Sequence, residues 1–600
     1  MTSSVKIISF VVGLMLARGA GAAPTIPEAE LLAPPTPQRI AAIIAAAQRE
    51  GWAPQAAPLR IAAQNAYRRG NLPAAEAWFN VYRWTGLWGM SDHEYLPRWT
   101  EAVKTLRVGH PNMPRNFPLR RAPLGFLLLP EVQVWLLSHP AFSEEFFSLL
   151  SQVDYLPGVF QILNELHFHD PVRFDTYANL VLAIALVYEV PPPPHWPHGQ
   201  VPVAALRRQL PKPVEAFKWW TRQDELGHTH HRLANLGADE LKFVVDAAAP
   251  FVELEWSQQI VGYSLTRMAR AYTMVRYDAG RVQRGELIWS GGTYALDDIL
   301  AAGGICVDQG YFAAQAGKAR GVPTLLFRGQ GVDSRHAWFG FLDTKEKWQL
   351  DVGRYAEQRF VTGYVLDPQT WREISDHELR FLSERFRTLP AFRESRVHAQ
   401  FGADFLAGGD ATAAEEAARK AIALERRNLP AWETLLSAQT ARGRDAKQRE
   451  VTLREAAQAF EKYPDLETVY FTRVSESLRA RGETALAEAE LNRVANKNQR
   501  KREDLNLMEA RRTLVRAFAT QPVEEQVRTY NTLVTTLGRG AGIAFFDQVV
   551  VVFAEHMMQL QQPAEALKAV EAARQALKIQ GNSQLAREIE KLSQWVRTPP

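Results

Sequence analysis

Over most of the chain, apolar and small residues recur every three or four positions, which is the spacing of an amphipathic helix. The pattern predicts a first helix over residues 40–48, then a pair of helices over 59–88 that meet at the turn Gly70-Asn71. Further helices, separated by prolines, are predicted over 90–190. The run at 178–187 is apolar throughout, and because it is shorter than the roughly 20 residues that span a bilayer, it predicts a buried helix.

The pattern changes near the middle of the chain. Consecutive prolines at 191–194 stop any helix and mark a boundary, after which helices resume over 214–274. From there, short apolar runs alternate with glycines and aromatic residues, which predicts strands around one helix. The predicted strands are 286–290, 324–328, 336–342 and 348–352. After residue 373 the helical pattern returns, so the chain is predicted to be mainly α with a central α+β segment.

A spacing of 34 residues recurs in the C-terminal part of the chain. Gly409 corresponds to Gly443 and Pro430 to Pro464, with alanines between them where helices would approach closely. A period of 34 with glycine at the turn between helices resembles tetratricopeptide repeats. The resemblance implies an α-solenoid over 385–600 whose concave face binds a protein partner. A helical bundle with accidental spacing is the alternative interpretation.

The composition is that of an ordinary globular protein. Of the 600 residues, 46% are hydrophobic and 23% are charged, which excludes wholesale disorder and a collagen-like fibre. The 70 Lys and Arg residues against 66 Asp and Glu residues give a formal net charge of +4. Because no basic block stands out, no nucleic-acid partner is predicted. The length predicts several folding units rather than a single one.

The first residues have the pattern of a secretory signal peptide. Lys6 is followed by an apolar run at 7–17 and by small residues that end in Ala20-Gly21-Ala22. The run is too short for a membrane anchor. We therefore expect cleavage near Ala22, export to the periplasm or the extracellular space, and no stable membrane insertion afterwards.

The chain contains one cysteine, Cys306, which excludes an intrachain disulfide and a cysteine-rich zinc site. Oxidising compartments tend to remove free thiols, so a lone cysteine in an exported protein is either buried or chemically employed. Cys306 follows Gly303-Gly304 and begins a predicted helix that ends at Gly321. The amides of a helix N-terminus lower the pKa of a thiol, which favours a nucleophile here. Asp308, in the same first turn, is interpreted as structural.

Two apolar strands around the charged segment 343–347 predict a β-hairpin. If the turn centres on Asp343-Thr344, His336 lies directly opposite Asp351 on the same face of the sheet. A carboxylate in that position would hold the tautomer of the imidazole while its other nitrogen faces the thiol. A turn centred on Lys345 instead puts Asp351 on the wrong face, so the register tests this interpretation.

The order of these elements resembles the transglutaminase-like superfamily of papain-like cysteine enzymes. Cys306 is followed by Ala319-Arg320-Gly321-Val322-Pro323-Thr324, then by His336-Ala337-Trp338, and then by Trp348-Gln349-Leu350-Asp351. The likeness covers roughly residues 285 to 365. It implies a papain-like core in which Cys306 is the nucleophile, His336 the general base and acid, and Asp351 the residue that orients the histidine.

The resemblance also implies a mechanism of acyl transfer. The Cys306 thiolate would attack an amide carbonyl and form a thioester, which water hydrolyses or an amine transamidates. The family's oxyanion donors are the backbone amide of the cysteine and an upstream group, for which Trp289 and Gln309 are candidates. Calcium sites and glutamine specificity belong to particular branches and are not carried over.

A cluster of histidines at 228–231 raises the question of a metal site. On a helix, Asp224, His228 and His231 would share a face and form a partial ligand set. Gly227 weakens the helix there, and surface or core histidines are the favoured interpretation. We predict neither a metal nor a cofactor.

Together these features predict an exported cysteine peptidase or amide acyltransferase with the catalytic residues Cys306, His336 and Asp351, acting on a protein or peptide substrate that the helical repeats recruit. The alternatives are a catalytically silent binding or assembly scaffold and an amidase of cell-wall peptides. The predicted organisation is a signal peptide (1–22), an Ala/Pro-rich linker and helix (23–58), an N-terminal helical domain (59–190), a Pro-rich boundary with a helical segment (191–279), the transglutaminase-like core (280–375) and the repeats (385–600).

Overall fold

The computed structural model describes residues 26–106, 121–202, 205, 210–331, 334–344, 347–354, 362–498, 502–538, 542–577, 579, 581 and 583–598. The signal peptide predicted over 1–22 lies outside these residues. Within them the chain is mainly helical and contains one small antiparallel sheet, which confirms the predicted fold class at this level. No helix in the described part combines the length and apolar character needed to cross a membrane.

The N-terminal half is a packed set of helices, and most have a proline at one of their first two positions, where its missing N–H has no intrahelical partner. The predicted pair around Gly70 is confirmed as α2 and α3, and the apolar run at 178–187 as the buried helix α9. The helices are α1 (Pro37–Glu50), α2 (Ala53–Arg68), α3 (Leu72–Gly89), α4 (Asp92–Leu106), α5 (Pro130–Ser138), α6 (Pro140–Leu149), α7 (Leu156–His169), α8 (Pro171–Thr176) and α9 (Ala178–Tyr188).

The central part combines short helices with the sheet. Its helices are α10 (Pro213–Glu225), α11 (Ala238–Val245), α12 (Phe251–Ile260), α13 (Ala271–Met274), α14 (Ala279–Arg284), α15 (Leu296–Ala302) and α16 (Cys306–Ala319). The strands are β1 (Thr324–Gln330), β2 (Arg335–Leu342), β3 (Trp348–Val352), β4 (Gly363–Leu366) and β5 (Glu373–Ser375), in the spatial order β3-β2-β1-β4-β5. The predicted helix after Cys306 and three of the four predicted strands are thus confirmed.

Helix α16 packs against β1 and β2, and glycines on its sheet-facing side let it approach closely. A Cβ on Gly310 would lie 2.7 Å from the Leu326 side chain, and one on Gly317 would lie 2.4 Å from that of Thr324. This contact fixes the first residue of α16, Cys306, beside the strand that carries His336.

The strand predicted over 286–290 is wrong, because this stretch forms the irregular connection between α14 and α15. Its aromatic residue Trp289 is buried, and the backbone amide of Trp289 donates to the carbonyl of Gln200 in another loop (2.9 Å) instead of a strand partner. Apolar alternation in this segment therefore reflects packing of a loop on the core.

The C-terminal part is helical, and successive helices pack against one another. They are α17 (Asp376–Leu382), α18 (Pro390–Ala407), α19 (Ala411–Leu424), α20 (Leu429–Ala441), α21 (Ala446–Ala459), α22 (Pro464–Ala480), α23 (Thr484–Asn498), α24 (Glu503–Thr520), α25 (Val523–Leu537), α26 (Gly542–Phe545), α27 (Val551–Gln559), α28 (Pro563–Ala576) and α29 (Gln584–Arg597). A π-helical turn, Phe546–Val550, joins α26 to α27.

A continuous apolar core runs from Leu31 to Ala438 and includes the N-terminal helices, the sheet and α18 to α20. The predicted boundaries near residues 190, 280 and 375 therefore pass through shared packing. A separate core joins residues 381 to 494, and another joins 507 to 596. The sheet and α16 are thus supported by helices on the N-terminal side, and the last helices form a unit with a core of their own.

Candidate active site

Cys306 is the first residue of α16, as predicted, and its thiol is free. It is partly buried and packs in a small apolar cluster with Ile305, Val307 and Ala337. The helix begins here because the Asp308 carboxylate accepts the Ile305 amide N–H (2.8 Å), which is the arrangement of a capping box. The cysteine therefore occupies a well-defined helix start facing β2.

The expectation that this position lowers the thiol pKa is wrong. Burial raises the pKa of Cys306 to about 11, and the negative charge of Asp308 acts in the same direction. The nearby backbone amides of Ala337, Val307 and Cys306 lower the pKa, but they do not outweigh the loss of water around the sulfur. At neutral pH the resting group is a thiol.

His336 is the second residue of β2 and lies opposite Gly329 of β1. It is 5% exposed, and its Nε2 lies 2.7 Å from the carbonyl oxygen of Gly353. A carbonyl oxygen only accepts, so Nε2 carries the proton and Nδ1 of the neutral ring is a base. Burial lowers the pKa of His336, the Gly353 carbonyl opposes this, and the positive charge of Arg354 adds to the lowering.

Cys306 lies beside the start of β2. It packs against Ala337, the residue directly after His336. The structure thus places the cysteine next to the strand that carries the imidazole, and the expectation that a ring nitrogen faces the thiol stays a prediction.

The predicted pairing of His336 with Asp351 is wrong. Strands β2 and β3 pair Leu342 with Trp348 and Phe341 with Gln349, which is not the register of a turn centred on residues 343 and 344. The physical reason is the connection, in which the amide of Asp343 donates to the carbonyl of Lys347 (2.9 Å) and closes a longer loop than expected. A bulge between Phe339 and Phe341 shifts the register once more.

Asp351 instead lies on the exposed side of β3, with 55% of its side chain accessible. Its carboxylate accepts from Arg354 (2.6 Å) and from Arg380 of α17 (3.1 Å). Arg354 also donates to the buried Asp376 (3.0 Å) and lies over the ring of Trp338. These contacts order the turn after β3, so Asp351 supports the segment that holds Gly353 and does not contact the imidazole.

Tyr272 of α13 joins the two sides of this arrangement. Its hydroxyl donates to the carbonyl of Ala337 (2.9 Å). Its ring occupies the space that a Cβ on Gly353 would take, at 2.4 Å, and Gly353 has a φ of +85°. A glycine is required there both by the backbone conformation and by the close approach of the tyrosine.

Sequence reasoning missed Gly353 and Tyr272 as parts of the site. The glycine directly after Asp351-Val352 is a signal for a turn at the end of β3. Nothing in the sequence marks its carbonyl as a histidine partner, because every residue has one.

The two candidate oxyanion donors, Trp289 and Gln309, both donate to backbone carbonyls of nearby loops. The indole N–H of Trp289 donates to the carbonyl of Thr293 (2.9 Å), and the side-chain amide of Gln309 donates to that of Val275 (2.8 Å). Both stabilise the loops around the start of α16.

The histidines at 228–231 serve separate structural roles. Asp224 accepts from Thr229 (2.8 Å), His228 contacts Gln223 (2.9 Å), and His231 contacts the carbonyl of Leu342 (3.2 Å). Across the described segments of the chain, no group of three or more His, Cys, Asp or Glu residues has a geometry that could hold a metal ion.

The chain matches no protein-family model and no curated protein. The interpretation of the site therefore rests on the geometry of its residues.

Proposed function

We propose that this protein is an exported cysteine enzyme of transglutaminase-like type that cleaves or transfers amide bonds through a thioester on Cys306. The observation that carries the proposal is the meeting of a helix-start cysteine with the strand of a histidine whose Nε2 is held by a carbonyl. That hydrogen bond leaves Nδ1 of His336 as the basic nitrogen.

The resting state consists of a neutral thiol and a neutral imidazole, which defines the first step. Nδ1 of His336 accepts the thiol proton as the sulfur attacks the amide carbonyl, and a tetrahedral intermediate forms. The Gly353 carbonyl accepts from Nε2–H throughout and stabilises the positive imidazolium. The backbone amide of Cys306 is a donor for the oxyanion, as the family resemblance implies.

The second half of the reaction returns the proton. The imidazolium protonates the leaving amine as the C–N bond breaks, and a thioester remains on Cys306. Water, deprotonated by Nδ1, then releases a carboxylic acid, or an amine releases a new amide. In both cases the sulfur regains its proton from His336.

The helical array over 385–600 is proposed to recruit the protein or peptide substrate as a tetratricopeptide-like solenoid. In support, turns with glycine at positive φ recur at Gly409, Gly443 and Gly482, and aspartates cap the helices that follow the first two. Stacked helix pairs of this kind present a concave face to a partner. Export is supported by the signal-peptide pattern at the N-terminus.

A catalytically silent scaffold is the second candidate function. Two observations favour it: the raised pKa of Cys306 and the position of Asp351 away from the imidazole. In that case the helical array binds its partner and the cysteine is a packed helix-start residue.

Trapping of the acyl-enzyme separates the two candidates. The protein is incubated with a peptide mixture and quenched in acid, and the intact mass and the Cys306 peptide are measured. The enzyme proposal predicts acylated Cys306 in the wild type and none in Cys306→Ala, with His336→Ala reduced by at least about 100-fold. Equal and negligible acylation of the wild type and both variants contradicts the enzyme and supports the scaffold.

A further inference from the structure

A chain of buried hydrogen bonds ends on the carboxylate that caps the helix of Cys306. Asp308 is 1% exposed, and its Oδ1 accepts from the hydroxyl of Tyr294 (2.7 Å). Its Oδ2 accepts from Arg281 (3.0 Å) and from the amide of Ile305 (2.8 Å). The Tyr294 hydroxyl lies 3.0 Å from Nε2 of His198, another buried side chain.

The direction of every proton in this chain follows from its ends. The amide of Gln200 donates to Nδ1 of His198 (3.3 Å), so Nδ1 is the unprotonated nitrogen and Nε2 carries the proton. Nε2–H therefore donates to the Tyr294 oxygen, which frees the tyrosine proton for Asp308. Tyr294, Arg281 and the Ile305 amide all present hydrogens to the Asp308 carboxylate, so its oxygens accept in each of these three contacts.

The chain links three separate segments to the start of α16. His198 belongs to the loop after α9, Tyr294 to the connection between α14 and α15, and Arg281 to α14. The rings of Tyr294 and Tyr311 stack, with centroids 5.0 Å apart, so the tyrosine is also held from the helix side. Arg281 lies over the Trp289 ring, which closes the cluster. The network thus adds contacts from other segments to the cap that begins the helix.

We propose that Tyr294 and His198 are positioning residues that act through Asp308 to hold the Cys306 sulfur in its reactive place beside β2. This inference rests on the proposed function, since it assigns how the nucleophile is held. Neither residue touches a substrate. Their effect reaches the sulfur through the capped first turn of α16.

Substitutions in the network are expected to change the pKa of Cys306, and the direction of that change distinguishes positioning from simple packing. The groups facing Asp308 are Arg281, Tyr294 and, behind it, His198, and the charge that acts on Cys306 is that of Asp308. Loss of the tyrosine hydroxyl leaves the carboxylate less compensated and raises the thiol pKa further. Loss of the carboxylate charge lowers it.

The experiment measures the rate of Cys306 alkylation by iodoacetamide as a function of pH, in the full chain. Tyr294→Phe is expected to slow alkylation by about tenfold at neutral pH and to move the profile to higher pH. Asp308→Asn is expected to move the profile to lower pH. His198→Leu is expected to act like Tyr294→Phe, and His198→Gln, which keeps a donor, to restore part of the rate.

The matched control is Tyr188→Phe, which removes a tyrosine hydroxyl that donates to the carbonyl of Val245 (2.9 Å) outside this network. It is expected to leave the profile unchanged. Shifts of the same sign in Tyr294→Phe and Asp308→Asn, or a wild-type profile in Tyr294→Phe, overturn the inference. If Asp308→Asn does not fold, as judged by circular dichroism, Tyr294→Phe against Tyr188→Phe decides alone.

The proposed function fails in a different way. If His336→Ala acylates Cys306 as fast as the wild type, the enzyme proposal is lost whatever the network variants show. If His336→Ala is impaired and Tyr294→Phe is not, only the positioning role of the network is contradicted.

Discussion

His336 has a backbone carbonyl where a carboxylate was expected, and this changes what each residue around it does. The Gly353 carbonyl fixes the same tautomer that a carboxylate would fix, but it carries no net charge. It therefore stabilises the imidazolium less than a carboxylate would, and burial of the ring leaves the histidine with a lowered pKa. The proposed acid–base residue is thus neutral and basic at rest.

A change at Asp351 tests most sharply whether the partner of His336 is the Gly353 carbonyl or a carboxylate. Because its carboxylate binds Arg354 and Arg380 on the surface, Asp351→Asn is expected to slow Cys306 acylation by less than about tenfold. A carboxylate that directly orients the histidine would cost about 10⁴-fold when changed to an amide. A loss of that larger size, measured by acyl-enzyme formation, would show that the hairpin register differs from the one described.

Gly353→Ala tests the carbonyl partner itself. The new Cβ would meet the Tyr272 ring at 2.4 Å in a residue at φ +85°, so the turn must move and carry its carbonyl away from His336. We expect acylation to fall at least about tenfold and stability to fall by about 1–3 kcal/mol. Gly292→Ala, where an added Cβ meets nothing within 4 Å, is the matched control for both measurements.

The pH dependence of acylation follows from the lowered pKa of His336. The basic form does the work, so activity falls as the pH drops through the folded pKa of this residue. Because burial lowers that pKa below its usual value, activity is expected to persist to a lower pH than an unperturbed histidine allows. An acid limb at or above the ordinary histidine value, measured as the acylation rate against pH, is the contrary result.

At the scale of elements, the sequence predicts α16, β1, β2 and β3 because each has its own periodicity and its own stop signals, such as Gly321 and Pro323. It does not predict how β2 and β3 align, because register depends on the loop between them. The residues from Asp343 to Lys347 are all polar, and several turn lengths suit them equally. The hydrogen bond between the Gly353 carbonyl and His336 depends on that register, so the sequence does not predict it either.

The close packing of α16 on β1 can be tested at Gly317. Gly317→Ala would place a Cβ 2.4 Å from the Thr324 side chain in a buried contact. Overpacking of this kind is expected to destabilise the chain by about 1–3 kcal/mol, measured by chemical denaturation. An unchanged unfolding midpoint would mean that α16 does not lie as closely on β1 as described.

At the scale of the whole molecule, the last helices return to the sheet next to the site. Asp547, in the π-helical turn, accepts from Gln330 (2.6 Å) and Arg335 (2.7 Å), and the amide of Arg335 donates to Gln584 of α29 (3.1 Å). Arg335 directly precedes His336. The far end of the predicted substrate-recruiting array is thus joined to the strand that carries His336.

This docking is polar and partly exposed, so its effect is local. The Arg335 and Asp547 side chains are 40% and 17% exposed, and screening limits such a pair to about 1 kcal/mol or less. We expect Asp547→Ala to speed hydrogen exchange in the strand segment at 334–338 while the global unfolding midpoint stays within error. Lys568→Ala, which breaks an exposed pair with Glu565, is the control. Unchanged exchange at 334–338 in Asp547→Ala contradicts the docking.

We propose that His336 activates Cys306, which is a neutral thiol at rest. The most direct test of this activation is the release of p-nitrophenolate from an activated acyl ester as Cys306 is acylated, followed by stopped flow from acid to alkaline pH in the wild type and in His336→Ala. If His336 is the base, the wild type gives a burst that requires an unprotonated group with a pKa below that of ordinary histidine. His336→Ala should lose the burst until the pH approaches the raised thiol pKa of about 11. Superimposable pH profiles for the two proteins would contradict a role of His336 as the base.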